Sequence, residues 1–297
     1  MGEAVEVWRG GVATWECDAM GHLNVGFYVA KAMEGLAGLA AELGMPHAFA
    51  ADARATLIVR EQHIRFLREA RPNAPLTMTG GVIEMAESEA RLLLLLRHAS
   101  GEIAASFQTL VSHATAQEGR AFPWPQRVLD RAAALTVEVP PEAAPRSIGL
   151  DPVESHASLA RADELGLPRT GLGVVRAADC DVFGRMRTEQ AMARISSGIP
   201  HIVGATRAGG AALEYRLLYL EWPRAGDRME LRSGASGGDA RFRRWTHWLL
   251  DPDSGRAWGS AEAIAVSFDL ETPGRIVTLS EEALAAADAQ VIPGLTL

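Results

Sequence analysis

The chain has 297 residues, a length that fits about two domains of ordinary size. Apolar residues make up 48% and charged residues 22%, the balance of a globular protein rather than a disordered one. With 37 acidic against 29 basic side chains the net charge is −8, which argues against non-specific nucleic-acid binding, because phosphate neutralisation needs a basic face. Lys31 is the only lysine among the basic residues, a bias that reads as coding composition. Two cysteines, Cys17 and Cys180, are too few for a disulfide framework or a four-ligand zinc site. Neither H-E-x-x-H nor G-x-x-x-x-G-K occurs, so no metal and no cofactor is expected. The N-terminus has the features of neither a signal peptide nor a myristoylation site. The longest aliphatic run, Leu92–Leu96, is far too short to span a bilayer. A cytoplasmic protein without membrane association is the expectation.

Val5–Thr14 alternates weakly and reads as a strand. After the loop Asp18-Ala19-Met20-Gly21-His22, Asn24 is a fitting N-cap for a helix that runs to Leu43 and stops at Gly44. Tyr28, Ala32, Leu36, Leu39 and Leu43 form its apolar stripe, and Gly35 and Gly38 make it thin enough for a sheet to wrap closely. Strands are expected at 56–67, 75–86, 89–98 and 102–113, with turns at Arg71-Pro72-Asn73 and Ser100-Gly101. Residues 118–150, rich in Pro, Ala and Glu, read as a linker with one short helix near 125–134.

A strand near 171–178 follows, then a helix from Thr188 that Gly198 and Pro200 should end early. Further strands are expected near 212–222, 228–234, 240–250 and 257–269, with a hairpin turn at Asp251–Gly255. A long helix followed by a run of strands is an α+β pattern.

The two halves repeat. Cys17-Asp18-Ala19-Met20-Gly21 matches Cys180-Asp181-Val182-Phe183-Gly184 at an offset of 163, where Ala30 also meets Ala193 and Gly35 meets Gly198. Glu61, Leu67 and Arg71 match Glu214, Leu220 and Arg224 at 153, and 101–106 matches 255–260 at 154. So long a period means two whole domains. The expected organisation is a first unit at 1–117, a linker at 118–150, a second unit at 151–272, and a tail with a short helix at 273–297.

The stretch Glu16-Cys17-Asp18-Ala19-Met20-Gly21-His22-Leu23-Asn24-Val25-Gly26-Phe27-Tyr28, with Glu34 six residues on, resembles the signature of hotdog-fold acyl thioesterases. It is similar to the 4-hydroxybenzoyl-CoA thioesterase-like group and to acyl-ACP thioesterases. The family pattern is Asp, two residues, Gly-His-x-Asn, then a Tyr and a Glu along the helix. Phe66-Leu67-Arg68-Glu69-Ala70-Arg71-Pro72 resembles the family's second strand and its closing turn, and Asp179–Gly184 matches the loop again. The resemblance implies a tandem (double) hotdog, each unit a long helix wrapped by an antiparallel sheet, with active sites at the seam between units. It implies an acyl-CoA thioesterase, with coenzyme A or acyl carrier protein entering only as part of the substrate. It leaves open a homodimer of the whole chain, since exposed sheet edges in such units often stack.

Thioester hydrolysis needs an oxygen nucleophile, or a base that activates water, and donors for the oxyanion. Asp18, in a loop that feeds a helix N-terminus, fits as nucleophile or general base; His22 and Asn24 fit as groups that orient water or the acyl carbonyl. Tyr28 lies one turn beyond Asn24 on the same side of the helix. Asp181 is the second candidate carboxylate, in a copy where Arg185, Arg187 and Ala191 replace His22, Asn24 and Tyr28. Those arginines offer cations to a carboxylate or phosphate of the ligand, and Arg60, Arg65 and Arg68 could meet the phosphates of coenzyme A. Glu34 divides between a helix-buried structural role and a site role. Cys17 and Cys180 read as small buried residues facing away from each aspartate, and His63 as a surface or seam residue.

Gly234-Ala235-Ser236-Gly237-Gly238 matches G-x-S-x-G, but between two strands it reads as a hairpin loop and not a nucleophile elbow. Two other readings stand beside the thioesterase. A hotdog enoyl-CoA hydratase or dehydratase would show Gly-Asp-x-Asn-x-x-His, which is absent here, and the degenerate second copy would suit a non-catalytic acyl-CoA-binding protein.

Overall fold

An apolar stripe along one helix and strands with alternating faces demand a sheet that covers the helix, and both halves of the chain build one. The computed structural model describes residues 4–203, 209–268 and 276–297. The chain divides into two compact units: Met1–Ala144 with Asp181–Glu189, and Pro145–Cys180 with Gln190–Leu297.

In the first unit, β1 (Val5–Gly11) leads through a 3-10 turn at Thr14–Glu16 into α1 (Val25–Glu42). Strands β2 (Ala55–Phe66), β3 (Pro75–Met85), β4 (Glu89–His98) and β5 (Ile103–Thr115) follow, then α2 (Gln126–Ala134). The strands form an antiparallel sheet in the order β1-β3-β4-β5-β2. Asn24 caps α1 as its residue type requires, its side-chain oxygen accepting the N–H of Gly26 at 2.9 Å, and Gly44 ends the helix at φ +86°. All five residues of the expected stripe are buried. The helix lies close because glycine permits it: a Cβ on Gly35 would stand 2.2 Å from Sδ of Met78, and one on Gly38 would stand 2.2 Å from the carbonyl oxygen of Val7.

Residues 118–144, expected as a linker, are fastened along this unit. Arg65 donates to the carbonyls of Glu142 and Ala144, Gln108 donates to that of Ala143, and His113 stacks on Trp124. Of the two places expected for His63, surface or seam, the surface is excluded. The residue sits in the middle of β2 and is fully buried, because β2 buries both its faces over most of its length.

The second unit runs α3 (Leu159–Glu164), β6 (Arg169–Val174), a 3-10 turn at Ala177–Asp179, α4 (Thr188–Gly198) and α5 (Pro200–Val203). Strands β7 (Gly209–Tyr219), β8 (Arg228–Gly238), β9 (Arg243–Leu250) and β10 (Ala257–Phe268) precede α6 (Glu281–Asp288). The Asp181 loop and the first two residues of α4, Asp181–Glu189, are grouped with the first unit. The strand order β6-β8-β9-β10-β7 repeats that of the first unit position by position. Residue 269, the expected end of the last strand, and the expected boundary at 272 lie outside the described residues.

Gly234–Gly238 is not a hairpin loop but the end of β8, with a register shift against β9 between Ala235 and Gly237. Its small residues have a packing cause. A Cβ on Gly234 would meet Cδ1 of Ile292 at 2.6 Å and Cδ1 of Leu167 at 2.8 Å.

The interiors of the two units differ. Val7, Leu39, Gly80 and Leu94 meet in the first, where a Cβ on Gly80 would touch all three neighbours at 3.1–3.3 Å. At the repeat positions of Val7, Gly80 and Leu94 the second unit has Thr170, Ser233 and His247. They form a buried chain, Thr170 Oγ1 to Ser233 Oγ at 2.9 Å and Ser233 Oγ to His247 Nδ1 at 2.9 Å. Nε2 of His247 has no hydrogen-bond partner among the described residues, and burial pushes the imidazole down to about 4.

A base held neutral in the fold takes up its proton only in the unfolded chain as pH drops from about 6.5 towards about 4. Stability should therefore fall with pH across that window, by up to about 3 kcal/mol from this group. Denaturant unfolding at several pH values from 4 to 7 should show a shallower loss in His247→Leu than in wild type. Identical pH slopes would contradict the neutral buried imidazole.

Candidate active site

The loop that carries Asp18 is built from the carboxylate outward. Oδ1 of Asp18 accepts the N–H groups of Met20 at 2.8 Å and His22 at 3.0 Å, while the backbone closes with Asp18 N–H to the carbonyl of His22 at 2.8 Å. Gly21 takes φ +75° at the bend, where a side chain would be strained. The second copy reproduces each of these. Oδ1 of Asp181 accepts from Phe183 at 2.8 Å and Arg185 at 2.9 Å, Asp181 N–H donates to Arg185 at 2.7 Å, and Gly184 has φ +79°. Both aspartates thus hold their own loops. Asp18 is exposed, and among the described residues its Oδ2 makes no hydrogen bond.

The stems of the first loop are tied as well. Cys17 and Leu23 form a bridge, and Asn24 N–H donates to the carbonyl of Glu16 at 2.9 Å. Beyond the loop, the turn after β2 supplies its docking surface. Leu23 N–H donates to the carbonyl of Ala70 at 2.8 Å, and Ala70 N–H donates to the hydroxyl of Tyr28 at 3.1 Å. Burial pushes the Tyr28 phenol up to about 12, so it stays protonated, and its ring meets Phe66 edge-on at 5.2 Å. The 66–72 segment that carries part of the resemblance is thereby the floor under the loop.

His22 faces two partners from the same turn, with Nε2 at 3.0 Å from Oε2 of Glu69 and 3.2 Å from Nη2 of Arg71. A protonated Nε2 donates to Glu69 and a bare one accepts from Arg71. Either tautomer therefore has a partner in this turn. Glu69 and Arg71 also line an open depression of about 610 Å³ with Arg68, His98 and Glu102. Neither Glu69 nor Arg71 was singled out from sequence as a site residue.

The remaining expected site residues are occupied. Asn24 spends its side-chain oxygen on the cap, and the Glu34 carboxylate, exposed and not helix-buried, accepts from Nε1 of Trp8 at 2.7 Å. Arg185 is buried, its guanidinium on the carbonyls of Ala116 and Gln117 and over the Phe183 ring. Arg187 pairs with Glu189 at 3.1 Å and Arg68 with Glu102 at 3.3 Å. Arg60 donates to Ser112 at 3.0 Å, and burial lowers its guanidinium pKa although Glu89 opposes the shift. Cys17 and Cys180 are half-buried rather than buried; each thiol points to a carbonyl four residues back, Ala13 or Arg176. No group of three or more His, Cys, Asp or Glu side chains with the spacing of a metal site occurs among the described residues. No helix among them is long and apolar enough to cross a membrane.

Residues 12–132, which include this loop and its floor, match the family model of the thioesterase-like superfamily. No curated protein matches the chain in sequence. Among solved structures, one from Lactobacillus plantarum assigned as an oleoyl thioesterase aligns over 90% of this chain and 98% of its own, with a TM-score of 0.70 at 12% identity. An acyl-ACP thioesterase of Bacteroides thetaiotaomicron aligns over 87% and 96%, with a TM-score of 0.67 at 12% identity. The 12:0-ACP thioesterase of Umbellularia californica aligns over 89% and 94%, again at 0.67 and 12%. The fold is a tandem hotdog.

Within that hotdog pair, the loop with a histidine, an asparagine cap and a tyrosine anchor belongs to the first unit. The second copy of the loop, Asp181–Arg187, keeps the backbone and lacks those three side chains. Tyr28→Phe tests the floor. Ala70 is fully buried, so its N–H would lose its partner, at a cost of about 1–3 kcal/mol. Chemical denaturation of the variant should show that loss, and unchanged stability would contradict the anchor.

Proposed function

We propose that this hotdog protein hydrolyses an acyl-CoA thioester, with Asp18 as the reacting carboxylate. The observation that carries the proposal is the two-sided use of that carboxylate. Oδ1 is held by two N–H groups of its own loop, and Oδ2 is left for chemistry, within the segment that matches the thioesterase-like superfamily. In the general-base route, Oδ2 takes a proton from water as the water oxygen adds to the thioester carbon. The C–S bond then breaks, and the sulfur leaves and gains a proton. In the nucleophilic route Oδ2 itself adds to that carbon, the C–S bond breaks, and water cleaves the resulting anhydride. His22, with a partner for either tautomer, is the group proposed to pass protons at the site.

Tyr28 and Asn24 support this reading as positioning residues, one anchoring the floor and the other capping α1. Arg68 and Arg71, on the depression next to His22, are the cations proposed to meet phosphate of the carrier. Asp181 is assigned the loop-holding part alone. Arg185, at the place of His22, commits its guanidinium to two backbone carbonyls and offers no proton exchange. A second reading replaces coenzyme A with acyl carrier protein. It is favoured by the similarity to structures named as acyl-ACP thioesterases, a likeness of fold at 12% identity.

The test is a thiol-release assay over aromatic, short, branched and long acyl-CoAs and over acyl carrier protein. Asp18→Asn keeps an oxygen that can accept from Met20 and His22, so the loop stays closed. Its turnover should fall about 10²- to 10⁴-fold, with a loss of thermal stability confined to the difference between a charged and a neutral acceptor. Wild-type turnover in Asp18→Asn would overturn the assignment. Water addition to an enoyl-CoA without thiol release would replace hydrolysis with hydration.

A further inference from the structure

The chain's one lysine is buried in the helix behind the candidate loop. Lys31 is 5% exposed, and its Nζ lies 2.9 Å from both carboxylate oxygens of Glu16. Glu16 is fixed at three points. Its carboxylate also accepts the N–H of Ala13 at 2.8 Å, and its carbonyl accepts the N–H of Asn24. One residue therefore joins the strand side of the loop to the first residue of its helix side and, through Lys31, to the second turn of α1. The Trp8 ring lies 5.5 Å from the Lys31 ammonium and adds a cation–π contact.

The second copy has an equivalent pair. Asp179 and Arg194 stand at the repeat positions of Glu16 and Lys31. Nη2 of Arg194 lies 3.3 Å from Oδ2 of Asp179, and that oxygen accepts the N–H of Arg176 at 3.1 Å, as Glu16 accepts that of Ala13. A shorter acid meets a longer base. Charge and span are kept together while both residue types change.

We infer that the Glu16–Lys31 pair positions the Asp18 loop, with Lys31 acting on the reaction through Glu16 and touching no substrate. The inference rests on the thioesterase reading above. Without the ammonium, the carboxylate no longer joins α1 to the stem that precedes Asp18, and the reacting oxygen loses its fixed distance from His22. A displacement of about 1 Å at a reacting group costs roughly 10²-fold in rate. The loss should therefore fall on kcat more than on KM.

The duplication supplies the variants. In the full chain, Lys31→Met should lower kcat for thiol release by about tenfold or more, with KM nearly unchanged, at temperatures well below its melting point. Lys31→Arg alone should recover part of the rate. Glu16→Asp with Lys31→Arg installs the Asp179–Arg194 contact of the second copy, without the Arg176 guanidinium that also grips Asp179 there at 2.7 Å, and should recover more than Lys31→Arg alone. Because Lys31 is the only side-chain amine, reductive methylation with labelled formaldehyde reads its burial directly. In folded wild type the N-terminal amine should react and Lys31 should not.

Wild-type kcat in Lys31→Met, or prompt methylation of Lys31 in the folded chain, would overturn the inference and leave the thioesterase reading standing. So would a double variant that folds but turns over no faster than Lys31→Met. If Lys31→Met does not fold, the double variant decides by the same criterion against wild type. A wild-type chain that releases no thiol from any thioester fails the thioesterase reading itself, and the positioning role falls with it.

Discussion

Oδ1 of Asp18 accepts two N–H groups of the loop that Asp18 begins, and the candidate site depends on that closure. A hydrogen bond to a charged acceptor contributes about 1.5–3 kcal/mol, more than a neutral one, so the loop has one favoured shape even though it lies at the surface. That shape sets His22 against Glu69 and Arg71, brings Leu23 onto Ala70, and delivers Asn24 to the start of α1. The same carboxylate can hold the loop and still serve in the proposed reaction because its two oxygens are separable. Backbone donors engage one and leave the other.

The second copy shows what the loop needs in order to exist and what it does not. Asp181, Gly184 and the closing bonds persist, and the acid–base pair behind the loop persists with both residues changed. The histidine, the cap and the tyrosine do not. What the two loops share is the aspartate, the glycine and an acid–base pair behind them, while the polar equipment of the first copy is additional. Removing one partner of a buried pair typically costs about 3–5 kcal/mol, because the other charge is left without compensation. A lone lysine kept at such a place is therefore more than a trace of coding composition.

The architecture was legible in the sequence because it follows from local rules. The stripe Tyr28–Leu43, the Asn24 cap and the Gly44 stop describe α1 to within a residue, and alternation with turn residues located every strand of the first unit. The candidate loop was legible through its resemblance to a family signature and its recurrence in the second half. What escaped were consequences of packing. His63 looks like a surface or seam residue until β2 is covered on both sides, and Gly234–Gly238 looks like a loop until Ile292 and Leu167 are laid against it. Glu69 and Arg71 read as an ordinary charged turn, because nothing local says that His22 lands between them. The pairing of Glu16 with Lys31 did leave a signal. Acid and base recur together at an offset of 163, visible only when the two copies are compared for charge rather than identity.

The central claim is that one of two equally built loops carries the reaction. Asp18→Asn and Asp181→Asn make the same isosteric change to the same backbone geometry, so any difference between them reports chemistry and not folding. Their turnover numbers should be measured side by side on the best acyl thioester of the wild-type chain. The account predicts that Asp181→Asn keeps wild-type turnover while Asp18→Asn loses nearly all of it. Equal losses in the two variants, or the reverse order, would contradict it.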